Sequence, residues 1–170
     1  SQAFQRVVLQ WRPELGQVLF VNVFDLLHDA GHDDYLLVVR QVPRQARFDE
    51  TGLSFEQIVA RRLALLDENP AIRAKYFSAG DPLQMNGLPT SPVIDMGDHF
   101  ALRAQRGAFQ QWKVGVPWAS AGEVTVALGG DIAKELDLLL DKAALQPIEG
   151  PSASGEFNYP NLRTLPPRDI

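Results

Sequence analysis

The chain has 170 residues, 45% apolar and 22% charged, and sixteen Lys and Arg against twenty-one Asp and Glu leave a net charge of −5. This composition belongs to an ordinary globular chain and excludes a disordered or collagen-like one. The acidic surplus argues against a surface built to neutralise nucleic-acid phosphates, and the absence of cysteine removes thiolate nucleophiles, Cys-ligated zinc and iron–sulfur clusters.

No apolar stretch approaches the roughly 18 residues of a membrane span. The opening SQAFQRVVLQW lacks the basic-then-apolar layout of a signal peptide, and a start at Ser1 without methionine reads as a mature or trimmed product. Residues 4–11 are β-branched, aromatic and free of Gly and Pro, which predicts a strand with Val7, Leu9 and Trp11 on one face. Pro13 and Gly16 turn it into a second strand over 16–21. Asn22 then caps a short helix carrying Val23, Leu26, Leu27 and Ala30, stopped by Gly31.

The apolar run Tyr35 to Val39 suits either a strand or a helical turn, and residues 42–53 read as loop. Ser54 and Gln57 form a capping box ahead of Phe55, Ile58, Val59, Leu63 and Leu66, a spacing that lays one apolar stripe along a helix. Asn69-Pro70 breaks it, and a shorter helix follows from Ala71 to Ala79, closed by Gly80. Next come the loop NGLPTSPV at 86–93, a β-rich region from His99 to Trp112, and a strand from Glu123 to Leu128. After Gly129-Gly130, Asp131 is predicted to cap a helix with Ile132, Leu136, Leu139, Leu140 and Ala143 inward. Residues 146–170 contain five prolines and no helical period, which predicts an extended arm.

The opening strand recurs about a hundred residues later: FQRVVLQW at 4–11 resembles AQRGAFQQW at 104–112, with a β-bulge expected to absorb the extra residue. Each copy runs on through a proline-containing turn to Gly-[Gln/Glu]-Val, at Gly16–Val18 and Gly122–Val124, and then to a capped helix. The expected architecture is therefore α+β: a globular domain over 1–145, with a strand-strand-helix unit at about 4–30, a helical insertion at about 31–85, and a second unit at about 86–145, followed by the Pro-rich arm 146–170. The first unit lacks a counterpart of the NGLPTSPV loop, so a longer protein or a neighbouring subunit is expected to complete it.

These residues resemble the LGFP repeat, a module of bacterial cell-envelope and secreted proteins. The matching string is Phe77, Gly80, Gly87-Leu88-Pro89-Thr90, Phe109, Trp112, Gly122 and Val124, with Phe4, Gln5, Trp11, Pro13, Gly16 and Val18 in the first copy. The resemblance implies a non-catalytic module associated with the bacterial cell wall, in the envelope or outside the cell, often joined to hydrolases or transferases acting there.

Several clusters invite chemistry. His28 and His32, with Asp29, Asp33 and Asp34 beside them, have a zinc-compatible spacing, but Gly31 between them reads as a helix end. Asp95, Asp98 and His99 suit an Asx turn better than calcium, whose sites need six or more oxygens. GPSASG at 150–155 lacks the second glycine position of a nucleophile elbow. Carboxylates for a hydrolase would come from Glu14, Asp25, Glu123, Asp131 and Glu135. No metal or cofactor is called for. For glycan stacking the candidates are Trp118, Trp112, Trp11 and Tyr76, with matching core positions as the competing role for Trp11 and Trp112. Phe157, Tyr159, Leu162 and Leu165 give the arm enough apolar surface to dock on its own domain or on an identical subunit.

The leading expectation is a non-catalytic envelope or extracellular module that binds cell-wall polysaccharide or acts as a spacer. The alternative is a self-assembling structural subunit, such as a filament protomer, with the arm docked on a neighbour; a carboxylate-dependent hydrolase ranks third. Neither nucleic acid nor a membrane span belongs to any of these readings.

Overall fold

A computed structural model describes residues 2, 3 and 5–138. The arm at 146–170, the apolar arm residues Phe157, Tyr159, Leu162 and Leu165, the GPSASG segment, and Phe4, Leu139, Leu140 and Ala143 lie outside the described residues. Over the described residues the fold is α+β, with two antiparallel sheets and six α-helices. The first sheet runs β1 (Gln2–Ala3), β2 (Val8–Arg12), β3 (Gln17–Phe20) and feeds α1 (Val23–Asp29). The second runs β4 (Ile94–Asp95), β5 (His99–Arg103), β6 (Ala108–Trp112), β7 (Val124–Val126) and feeds α6 (Gly129–Glu135). Between them lie α2 (Asp33–Val39), α3 (Phe55–Leu63), a 3₁₀ turn at Ala64–Glu68, α4 (Pro70–Phe77) and α5 (Pro82–Asn86).

Local rules account for much of this. The Ser54 hydroxyl accepts from Gln57 N–H at 3.3 Å while Gln57 Oε1 accepts from Ser54 N–H at 2.8 Å, so the capping box forms and starts α3. The helix tightens into the 3₁₀ turn, which carries Leu66 into the core; Phe55 falls outside the expected stripe and stands 70% exposed. Asn69 and Pro70 start α4 rather than merely ending its predecessor, because Asn69 Oδ1 accepts from the N–H groups of Ala71 and Ile72, both at 3.0 Å, and Pro sits where no donor is needed. The 35–39 run resolves as helix α2.

Other local readings give way to tertiary contacts. Asn22 makes no side-chain cap; its Oδ1 accepts from Arg106 Nε at 2.7 Å instead. Asp131 does not cap α6, which begins at Gly129. A Cβ at Gly129 would lie 3.0 Å from Val23 Cγ1 and 3.1 Å from Phe24 Cε2, so glycine there permits α1 and α6 to approach. Gly87 is needed twice over, for its φ of 68° and because a Cβ would lie 2.7 Å from Gln105 Cβ. The expected β-bulge is absent: β5 and β6 pair without interruption from His99↔Trp112 to Arg103↔Ala108.

The two sheet-and-helix segments share a hydrogen-bond pattern. Ala3↔Val8 and Gln2↔Leu9 in the first sheet match Arg103↔Ala108 and Leu102↔Phe109 in the second. Val21 N–H donates to Val8 O at 2.9 Å, as Ala127 does to Ala108 O at 2.8 Å. After the helices, His32 N–H reaches Leu27 O at 2.9 Å, as Leu138 reaches Ala133 O at 3.0 Å. Positive φ values recur at Gly16 and Gly122, then at Gly31 and Asp137. Trp11 pairs with Val18, whereas Gln111 pairs with Val124. In this register the counterpart of Trp11 is Gln111, not Trp112, and the sequence match on Gln-Trp is one residue out of step.

Alternation along β6 sends neighbouring side chains to opposite cores. Ala108 joins Val8, Val23, Phe24, Leu27, Leu36, Val42, Ile132 and Ala133. Phe109 joins Leu66, Ile72, Tyr76, Leu102 and Ala104 under α4. The largest fully buried side chain, Arg103, ties the first core together. Its Nη1 donates to Asp33 Oδ1 at 2.7 Å and to Pro43 O at 3.3 Å, and Nη2 donates to Phe24 O. Burial opposes the Asp33 charge, but hydrogen bonds from Arg103 and His28 outweigh it and hold the carboxyl below its ordinary value of 3.8.

A group with a depressed folded pKa stabilises the protein above its unfolded value, and that contribution is lost as pH falls through the folded one. Asp33→Asn should therefore cost about 3–5 kcal/mol near neutrality, by leaving Arg103 charged and unpaired. Urea titrations from pH 7 to pH 3 should show the deficit shrinking below about pH 4; a constant deficit would contradict this assignment.

Candidate functional site

The end of β6 and the connection to β7 build a cleft that gathers two of the predicted stacking residues. Val116 and Ala119 exchange backbone hydrogen bonds at 2.8 and 3.2 Å, which places Pro117 and Trp118 at the tip of a tight turn. Trp118 projects from it 65% exposed. Its ring meets that of Trp112 at 5.5 Å between centroids and 82° between planes, an edge-to-face arrangement favoured by the ring quadrupoles. Trp112 is only 5% exposed, anchored by an Nε1–H bond to Thr125 Oγ1 at 2.9 Å, and it lies 4.7 Å from the ring of its ladder partner His99.

Polar groups surround this pair. Gln110 shares the Trp112 face of β6, and its Nε2 donates to the carbonyls of Arg40 and Gln41, both at 3.2 Å. Gln41 is a non-glycine residue at φ 52°, a conformation that persists only where its surroundings enforce it. Buried His99 has Nδ1 at 2.6 Å from Asp98 Oδ1 and Nε2 at 3.3 Å from Gln41 O, so this strained segment is held from two sides. The resulting cleft, about 410 Å³, is lined by Val39, Arg40, Gln41, Asp98, Gln110, Trp112, Val116 and Trp118. One open aromatic ring beside Gln110, Asp98 and Arg40, whose polar groups are held by Gln41, His99 and Glu135, offers an apolar platform with oriented polar groups at its margin, the chemistry suited to a ligand with one C–H face and peripheral hydroxyls.

The other stacking candidates lie elsewhere. Tyr76 is completely buried, with its hydroxyl donating to Gly87 O at 2.8 Å, and burial pushes its pKa up to about 12. No face of that ring is open to a ligand. Trp11 is 56% exposed on β2 and does not line the cleft. Its expected equivalence with Trp112 fails because the ladder register turns the two rings to opposite faces. Arg40, Gln41, Gln110 and Val116 were not singled out by the sequence reading, since polar residues in a loop and on a strand carry no signal of their convergence.

The remaining candidates have local partners. His28 Nδ1 lies 2.8 Å from Asp33 Oδ2, and among the described residues no group of three or more His, Cys, Asp or Glu is placed to hold a metal ion. Asp95 Oδ1 accepts from Gly97 N–H at 2.9 Å, the anticipated Asx turn. Of the five carboxylates considered for hydrolysis, Glu14 pairs with Arg12 at 3.4 Å, Asp131 with Lys134 at 3.3 Å and Glu135 with Arg40, while Glu123 accepts from Ser120 N–H at 2.9 Å. Asp25 accepts from Gln105 Nε2 at 2.9 Å; burial, outweighing that bond, raises its pKa. No protein-family model, curated protein or solved structure matches the chain significantly.

The two tryptophans of the cleft should separate by stability. Trp112→Ala is expected to cost about 3–5 kcal/mol, as removal of a buried aromatic does, whereas Trp118→Ala should stay within about 0.5 kcal/mol of the parent. Chemical denaturation of both variants checks this, and a large loss for Trp118→Ala would make it a core residue.

Proposed function

We propose that the chain is a non-catalytic module of the bacterial cell envelope or extracellular space that binds cell-wall glycan in the Trp118–Trp112 cleft. The observation that carries this reading is the exposed Trp118 ring set edge-on against buried Trp112, with Gln110, Arg40 and Asp98 lining the same cleft. A pyranose can lay its C–H face on such a ring while its hydroxyls bond the planar side groups. The Gly87-Leu88-Pro89 turn and the Gly122–Val124 strand entry, two parts of the string that resembles the LGFP repeat, frame the second sheet that carries the cleft.

The same reading takes the chain as two copies of one strand-strand-helix unit. It draws support from the paired hydrogen bonds Val21–Val8 and Ala127–Ala108, from His32–Leu27 and Leu138–Ala133, and from the positive φ of Gly16, Gly122, Gly31 and Asp137. Helix α1 takes its Phe24 N–H to Gln105 O at 3.0 Å, and α6 takes its Asp131 N–H to Gln5 O at 3.0 Å. Each helix thereby reaches the Gln-Arg turn of the other copy, a reciprocity expected of like units packed about an approximate two-fold.

Assembly with identical subunits stands as the second reading, favoured by the apolar side chains left open on the first sheet, where Trp11 and Val18 are 56% and 52% exposed. Retention on purified peptidoglycan decides for or against glycan binding. The parent protein should be retained above an unrelated acidic control, and Trp118→Ala should weaken retention about tenfold, or about 1.4 kcal/mol. Retention equal to the control, or unchanged by that substitution, would overturn the proposal.

A further inference from the structure

The two sheets present matching faces to unlike surroundings. In the second sheet Phe109, Gln111, Val124 and Val126 form one face, as the pairs Phe109↔Val126 and Gln111↔Val124 require. The 3₁₀ turn and α4 cover it: Leu66, Ile72 and Tyr76 pack on Phe109, and Asn69 Nδ2 donates to Gln111 Oε1 at 2.6 Å. In the first sheet the same ladder positions hold Leu9, Trp11, Val18 and Phe20, paired Leu9↔Phe20 and Trp11↔Val18. Among the described residues none of these four belongs to either core. Trp11 and Val18 are exposed and Leu9 and Phe20 half-buried, so a Trp, two aliphatics and a Phe form a partly open apolar patch of the kind that marks an interaction surface.

We propose that this face seats a helix of the same chemistry as α4, carried by polypeptide joined ahead of β1 in the way that α4 is joined ahead of β5. The inference rests on the two-copy reading. Its occupant is defined by what covers the counterpart face: an amphipathic helix with an aliphatic and an aromatic side chain one turn apart, as Ile72 and Tyr76 are, entered through a side-chain-capped start such as Asn69. A folded second copy of the chain cannot lend its own α4, because Ile72 and Tyr76 are fully buried against Phe109. Trp11 in place of Gln111 means that the helix seated here meets an indole rather than an amide. No partner to the Asn69–Gln111 hydrogen bond is therefore needed, and the contact is apolar throughout.

The test repeats residues 64–100 of this chain directly ahead of residue 1, which preserves the spacing found in the second half. The Trp11 indole N–H, identified among the three tryptophans with Trp11→Phe, is followed by hydrogen exchange. Its exchange should slow by at least about tenfold on fusion, and should not slow when the added copy alone carries Ile72→Asp and Tyr76→Asp. Four results would overturn the proposal: no protection on fusion, equal protection by the altered segment, and, in the unfused protein, protection that rises with concentration or protection that disappears when residues 139–170 are deleted. The last two would give the face to a second copy or to the chain's own end. Peptidoglycan retention through Trp118, on another sheet, reads out separately, so failure here leaves glycan binding standing and the reverse also holds.

Discussion

The buried Arg103 guanidinium is the constraint around which the first core is arranged. From β5 it reaches the end of the Phe24 turn in α1, the first residue of α2 and the carbonyl of Pro43, three segments that share no sheet and little sequence proximity. Its Nε is buried without a protein partner among the described residues. An apolar residue of similar volume would fill the space but strand Asp33 and two carbonyls, each of which would then carry its own desolvation cost. Arg103 also binds through its backbone, accepting from Thr90 N–H at 2.7 Å and donating to Ser91 Oγ at 2.9 Å. One residue thus couples the loop after Gly87, the second sheet and the α1–α2 corner.

Elements governed by near neighbours were legible in the sequence. The Ser54–Gln57 box, the arrest at Gly31 and the hairpin-forming segments at 8–20 follow from backbone hydrogen bonding within a few residues. What was not legible depends on distant contacts. Gly129 and Gly130 read as a turn ahead of a cap, yet the close approach of α1 explains the first of them. Arg103 looks like an outward strand residue until its acceptors at 24, 33 and 43 are known. The Gln-Trp pairs at 10–11 and 111–112 misled for a geometric reason: side chains alternate along a strand, so a one-residue error in register exchanges the buried face for the open one.

The cleft was half legible. Trp118, beside a proline in a long connection, is recognisable as a ring held outward, and Trp112 as a large residue ending a strand. The polar side is not recognisable, because Arg40 and Gln41 come from a loop some seventy residues away that the strained Gln41 backbone brings against Gln110. Shape here arises from a contact between the insertion and the second sheet, and neither segment announces it alone.

The differences between the two sheets explain why the Trp118–Trp112 cleft forms on the second and has no equivalent at the matching ladder positions of the first. Where β6 ends in Trp112, the corresponding residue of β2 is Arg12, which pairs with Glu14 in solvent. Where residues 113–123 extend far enough to present Trp118 beside Trp112, the first sheet turns within Pro13 to Gly16. Arg12 and the short turn leave nothing to stack upon. Conversely, the opposite face of the first sheet carries apolar Trp11 and Val18, where the second sheet has polar Gln111 with Asn69 as its partner. Strand alternation puts the cleft and the helix-covered face on opposite sides of the same ladder. The two sheets thus differ on opposite sides, and a change at one side need not disturb the chemistry of the other.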